Sequence, residues 1–254
     1  MHVHWLEQTE SDVPASEEWL SASEALHLRD IAVAKRRNDW RLGRWTAKKA
    51  WATYLKAPPD PQIFREIEIR PAPSGAPVLF FNNNPEAVTI SLSHRDGTAL
   101  CAIAPSGGAL GCDLEVVEPR SDAFLADYFT AEEQALVAHA SAEDRSRLLA
   151  LLWSGKESAL KALREGLRLD TRCVIVSVVD GLGRGVEDGA ASMDYPSDSS
   201  KSSCSLNGWR PLHVRHTEGQ SYHGWWRQSG DLVRTVVAAP PPDSPIFLGS
   251  AILP

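Results

Sequence analysis

Asp113 and Glu115 stand two residues apart in Gly111-Cys112-Asp113-Leu114-Glu115, and further on Glu157 and Lys161 stand four apart in Trp153-Ser154-Gly155-Lys156-Glu157-Ser158-Ala159-Leu160-Lys161. A strand turns every second side chain to one face, so Asp113 and Glu115 should form a paired-acid ledge. A helix returns every fourth residue to one side, so Trp153, Glu157 and Lys161 should share a face. Three carboxylates with Lys156 and Lys161 nearby suit a magnesium-pyrophosphate site. Magnesium takes oxygen ligands, gives up water reluctantly, and is held by one or two carboxylates together with substrate phosphates. The plain alternative is a solvated strand face and a helix-surface ion pair. A surface Glu157-Lys161 bridge is worth only ~0.3–0.5 kcal/mol, too little for stability to call for both residues.

The elements around these residues read as an α+β chain in two halves, 1–108 and 109–254. Residues 23–54 should be helical, interrupted near Asn38-Asp39 and ended before Pro58-Pro59. Residues 64–69, 78–81, 87–92 and 99–104 read as strands, the last two separated by Asp96-Gly97. Pro105-Ser106-Gly107-Gly108 then turns the chain into the carboxylate strand, 109–116. In the second half Thr130 and Glu133 fit a capping box for a helix over 131–140, a second helix covers 148–163 with Gly166 as its left-handed cap, and 173–179 is a strand. Residues 212–216, 222–226 and 232–239 read as closing strands. The Gly-, Ser- and Asp-rich stretch 181–205 reads as a surface insertion without an assigned role.

Composition narrows the function classes. A net charge of -7 argues against a nucleic-acid binder working through a global basic field, so a polyanionic ligand would need a local basic patch. No stretch approaches the ~20 apolar residues of a membrane helix, and the start lacks a basic, apolar leader; the expectation is a cytoplasmic protein. The four cysteines show no CxxC spacing, which favours reduced buried thiols. Arg37, Arg41, Arg44 and Lys48 recur at helical spacing and predict one basic stripe beside an apolar face of Trp40, Ala47, Trp51 and Tyr54.

The strand Gly111-Cys112-Asp113-Leu114-Glu115 followed by the helix motif from Trp153 to Lys161 resembles the signature of the 4'-phosphopantetheinyl transferases. Lys35-Arg36-Arg37, Gly43-Arg44, Lys48, Gly75-Ala76-Pro77, Ser91-Leu92-Ser93-His94 and Gly166-Leu167 follow the family in order, so the resemblance covers roughly residues 25–175. The length is similar to the long, Sfp-type class, which implies two similar halves with pseudo-twofold symmetry in one monomeric chain and an active site in the cleft between them.

The resemblance further implies transfer of the phosphopantetheine arm of coenzyme A to a serine of an apo acyl or peptidyl carrier protein, with release of 3',5'-ADP. In that reading Asp113, Glu115 and Glu157 hold Mg2+, Glu157 is the general base, and Lys161, with Lys156 as a weaker partner, stabilises the leaving phosphate. Glu133 is an additional metal-side acid by family position or a plain helix-surface residue. Arg37, Arg44, Ser93 and His94 are expected to contact coenzyme A. One departure is Ala76, where the family commonly carries a basic residue; Arg70 or Arg95 would have to replace it. Two rivals remain at this point: a non-catalytic coenzyme A or carrier-protein binding module on the same fold, and a different magnesium phosphotransferase or hydrolase, for which no Walker-type glycine loop is present.

Overall fold

A computed structural model describes residues 1–58, 60–165, 168–178 and 208–249. The stretch 181–205, Cys204 and Gly166-Leu167 therefore lie outside the described residues, wholly or nearly so. The chain runs β1 (His4–Thr9), α1 (Ala22–Asp30), α2 (Ala34–Tyr54), α3 (Pro61–Glu66), β2 (Ile67–Pro71), β3 (Pro77–Phe81), β4 (Asn84–Pro85), β5 (Val88–Arg95) and β6 (Thr98–Pro105). It continues with β7 (Ala109–Val116), α4 (Asp122–Tyr128), α5 (Ala131–His139), α6 (Ala142–Ala162), β8 (Val174–Val178), β9 (Arg210–His216), β10 (Ser221–Ser229), β11 (Leu232–Ala239) and β12 (Ile246–Phe247). The architecture is α+β. Strands order as β12-β1-β6-β5, β7-β11-β10-β9-β8 and β2-β3-β4 in three sheets. Among the described residues no helix is long and apolar enough to cross a membrane.

Each half lays one long helix on a sheet. Helix α2 buries Leu42, Trp45, Ala47, Ala50 and Trp51, with Trp45, Ala47, Ala50 and Trp51 joining Leu6, Ile90, Cys101 and Ile103 in one core. Helix α6 buries Leu148, Leu149, Leu152, Ala159 and Leu160 against Val174, Val214, Trp226 and Val237 in another. A third apolar cluster joins them: Trp5, Leu100 and Ala102 from the first half meet Leu110, Cys112, Leu114 and Val236 from the second. β5 and β7 also touch through Ser91, whose hydroxyl accepts the Cys112 backbone N–H at 2.9 Å. The last strand among the described residues, β12, returns to pair in parallel with β1.

The two halves carry the same buried ion pair. Ser21 and Glu24 form a capping box at the start of α1, and Glu24 meets Lys48 of α2 at 2.5 Å. Thr130 and Glu133 form the expected capping box at the start of α5, and Glu133 meets Lys156 of α6 at 2.7 Å. Lys48 also donates to the carbonyls of Trp19 and Phe64, and Lys156 to those of Thr171 and Val174. Glu24 takes the Ile69 N–H of β2, and Glu133 the Val176 N–H of β8. Both ammonium groups are thus fully satisfied inside the protein, as a buried charge must be. The helix segments match as well: Trp45-Thr46-Ala47-Lys48-Lys49 answers Trp153-Ser154-Gly155-Lys156-Glu157.

Local chemistry accounts for where the elements depart from expectation. The first helix breaks at Ile31 to Val33, where two β-branched residues are extended, and not at Asn38-Asp39, because Asp39 is held on α2 by an i,i+4 pair with Lys35. Phe64 falls in α3, opened by the Asp60 side chain and Pro61, so the strand starts only at Ile67. Helix α6 starts earlier than the apolar run, at a Ser141 cap, and ends at Ala162 with Arg164 in the left-handed region at φ 61. Asp96 and Gly97 both have positive φ, the two-residue hairpin turn their sequence predicts.

Candidate active site

Gly111 decides how the two motifs meet. A Cβ there would lie 1.8 Å from the Ser158 carbonyl oxygen, so α6 crosses β7 at the one position without a side chain. Asp113 and Glu115 continue that face of β7 and run under α6. They are buried, at 4% and 9% exposure, so the ledge is covered on both sides and is not the solvated strand face its alternation permits. Thr235 of β11 pairs with Asp113 in register and bonds Ser154 and Ser158, fixing the helix over the strand.

Asp113 is the centre of the site. Its Oδ1 accepts Lys161 Nζ at 2.7 Å and Ser93 Oγ at 2.8 Å, while Oδ2 is buried without a hydrogen-bond partner. Lys161 also donates to the Cys112 carbonyl at 3.1 Å. Burial works against the Lys161 charge, but Asp113 beside it raises the ammonium pKa above its ordinary value. Glu115 is held by Arg120 at 3.3 Å and lies 3.7 Å from Arg95, with the Trp153 indole near it. Burial and the neighbouring Asp113 still push its carboxyl up. Glu157 is pushed up to about 7, by burial first and then by Asp113 and Glu115 against the pull of Lys161.

This donor set fits a divalent cation. Crowded carboxylates that resist ionising, with one orphaned buried oxygen on Asp113, are stabilised by a positive ion among them. Among the described residues no three acidic, histidine or cysteine side chains form a ready cage. Magnesium does not need one, because phosphate oxygens and water complete its shell.

The structure brings together Asp113, Glu115, Glu157, Lys161 and Ser93, and separates the remaining expected residues. Lys156 is fully buried and paired with Glu133, so it faces away from the ledge and cannot meet a coenzyme A phosphate. Glu133, 2% exposed in the same pair, is neither a metal-side acid nor a surface residue. The basic stripe on α2 is broken. Lys48 is buried with Glu24, and Arg41 donates to the Pro14 and Ala15 carbonyls. Arg44 lies over the Trp40 ring and 3.9 Å from Glu24, with its Nε unpartnered. His94, half exposed and 3.9 Å from Asp39, lines a cavity of about 620 Å³ with Arg36; Arg37 is exposed and is not among the residues lining it.

Neither residue expected to replace a cation at Ala76 is free for it. Arg70 pairs with Glu68 at 2.7 Å and bonds Asn83, and Arg95 bonds Glu118 at 2.8 Å. A second cavity, about 530 Å³, lies between the Gly75-Ala76-Pro77 turn and the end of α6 and is lined by Lys161 and Arg164. Sequence reading missed the roles of Arg120, Trp153 and Arg164. Trp153 was legible from its i,i+4 spacing to Glu157, but its nearness to Glu115 depends on how α6 lies on β7.

The sequence model of the 4'-phosphopantetheinyl transferase superfamily matches residues 109–201, which begin at the carboxylate strand and include the whole of α6. The chain is similar to the 4'-phosphopantetheinyl transferase HetI of Nostoc sp. (strain PCC 7120 / SAG 25.82 / UTEX 2576), with 27% identity over 164 residues, 64% of this chain and 67% of that protein. Among solved structures it is similar to the Helicobacter pylori holo-[acyl-carrier-protein] synthase in complex with coenzyme A, at 19% identity and a TM-score of 0.33, over 41% of this chain and 99% of that one. It is also similar to a holo-(acyl-carrier-protein) synthase from Bacillus anthracis in complex with CoA (3',5'-ADP), at 19% identity and a TM-score of 0.34, over 40% of this chain and 92% of that one. The segment that matches the 4'-phosphopantetheinyl transferase superfamily, residues 109–201, is the one that carries the ledge and the helix laid across it.

Proposed function

We propose that this protein transfers the 4'-phosphopantetheine arm of coenzyme A to a serine hydroxyl of an apo acyl or peptidyl carrier protein. The observation that carries the reading is Asp113, with one oxygen tied to Lys161 and Ser93 and the other buried without a hydrogen-bond partner. Asp113, Glu115 and Glu157 would hold Mg2+, which when bound neutralises charge on the pyrophosphate. Glu157, whose carboxyl titrates near the working pH, takes the serine proton. The serine oxygen then bonds the β-phosphorus, the bond from that phosphorus to the bridging oxygen breaks, and 3',5'-ADP leaves. Lys161 stabilises the charge that collects on the leaving phosphate. Ser93 and Lys161 orient Asp113, and Arg120 orients Glu115.

The repeated capping-box, lysine and tryptophan pattern supports a long-class chain whose two halves are related by a pseudo-twofold axis. Lys49 stands where Glu157 stands in the other helix segment, which supports one catalytic site per chain. His94, Arg36 and Arg44 supply the surface for the nucleotide's 3'-phosphate. The test is conversion of an apo carrier with coenzyme A before and after chelation. Loss of conversion with chelator and recovery with Mg2+ is expected; full conversion after exhaustive chelation would overturn the metal-dependent reading.

A further inference from the structure

Helix α6 ends on an arginine in a conformation that suits glycine. Leu163 caps the helix, and Arg164 follows at φ 61, where a Cβ is unfavourable and glycine is the usual occupant. Lys56 follows α2 in the same way at φ 55, so what sets Arg164 apart is the place of its side chain. Arg164 is exposed, and among the described residues its guanidinium makes no hydrogen bond or ion pair.

Arg164 lines the cavity of about 530 Å³ between the 72–77 turn and the end of α6. The opposite wall is the turn at residues 72–77, closed by hydrogen bonds between Ala72 and Ala76 and between Gly75 and Ala72, with Gly75 at φ 89. No side chain lining that wall is charged. Arg168 reaches across and donates to the Ser74 carbonyl at 3.3 Å, which pins the chain after α6 to the same turn. The cavity's cations are Lys161 and Arg164, and Lys161 is already committed to Asp113. An uncharged, partly apolar slot with one free guanidinium three residues after the lysine at the reacting phosphate fits a nucleotide that brings its diphosphate to the end of α6.

We propose that Arg164 is a ligand-binding residue that takes the 5'-phosphate of the nucleotide portion, the same leaving phosphate that Lys161 stabilises. This rests on the transferase reading above. Isothermal titration of the full chain with coenzyme A and with dephospho-coenzyme A tests it. Arg164→Gly suits the left-handed backbone, so the variant should melt no lower than the unaltered protein. Its affinity for both ligands should fall about tenfold or more, the size expected for a lost charge-assisted hydrogen bond. Adding Ala76→Lys, which places a cation on the facing wall, should recover most of that loss. Unchanged affinity in Arg164→Gly, while the unaltered protein binds coenzyme A, would overturn this proposal alone. Loss for coenzyme A but not for dephospho-coenzyme A would also overturn it, by moving the residue to the 3'-phosphate. Failure of the unaltered protein to bind coenzyme A would overturn the transferase reading and this proposal together.

Discussion

Lys161 Nζ lies 2.7 Å from Asp113 Oδ1, and this contact ties α6 to the carboxylate strand β7. The pair leaves Asp113 Oδ2 unpartnered and presses negative charge on Glu157. Asp113→Asn should therefore do two things. Turnover should fall by ~100-fold or more as the ledge loses its central charge. The Glu157 carboxyl should titrate below its present value of about 7, because one of the two acids raising it is gone. Carboxyl-carbon NMR of the metal-free protein measures that shift, and an unmoved Glu157 would contradict the geometry.

Glu157→Gln keeps the size and the helix while removing the charge and the basicity. Turnover should fall by ~100-fold or more, with coenzyme A binding in the absence of carrier protein changed much less. Stability adds an independent check. The folded carboxyl holds its proton up to about 7, whereas the unfolded one releases it near 4.5, so wild-type stability falls as pH rises through that interval and the full penalty is present above it. The glutamine variant lacks the penalty. Its melting-temperature advantage, measured without metal, should be small at pH 5 and largest at pH 8.

Lys156→Met leaves the buried Glu133 charge without its partner and should destabilise the fold by about 3–5 kcal/mol in denaturant titration. Adding Glu133→Gln should return much of that loss. Per folded molecule, the double variant should keep the affinity of the unaltered protein for coenzyme A. A tenfold drop in affinity there would return Lys156 to the binding site.

Arg44→Ala should weaken coenzyme A binding about tenfold relative to dephospho-coenzyme A, if its guanidinium leaves the Trp40 ring for the 3'-phosphate. Equal loss for both ligands would assign Arg44 to holding Glu24 and Trp40 in place.

The α+β class, the carboxylate strand over residues 109–116 and the Thr130-Glu133 capping box were legible because each is a local pattern of spacing and side-chain type. So were Asp113, Glu115, Glu157 and Lys161 as one cluster. What sequence spacing hides is which face of a helix another element covers. Lys48 and Lys156 look like surface cations on amphipathic helices, yet each is buried by an acidic residue from a separate cap and by carbonyls from distant turns. The repeat that could have exposed both is the Trp-[Thr/Ser]-[Ala/Gly]-Lys segment, present once in each half. Asp113 shows the same limit in reverse. Alternation gives its face correctly, but its burial follows from Gly111, which lets α6 lie directly on the strand.

Intact mass of the carrier after reaction tests the central claim most directly. Apo carriers from fatty acid, polyketide and nonribosomal peptide systems would each be incubated with this protein, coenzyme A and Mg2+, with 3',5'-ADP measured alongside. At least one carrier should gain one phosphopantetheine per chain on its serine, with an equal amount of 3',5'-ADP released and no gain when Asp113→Asn replaces the unaltered protein. Coenzyme A binding without mass gain on any carrier would contradict the account and leave a binding module on this fold.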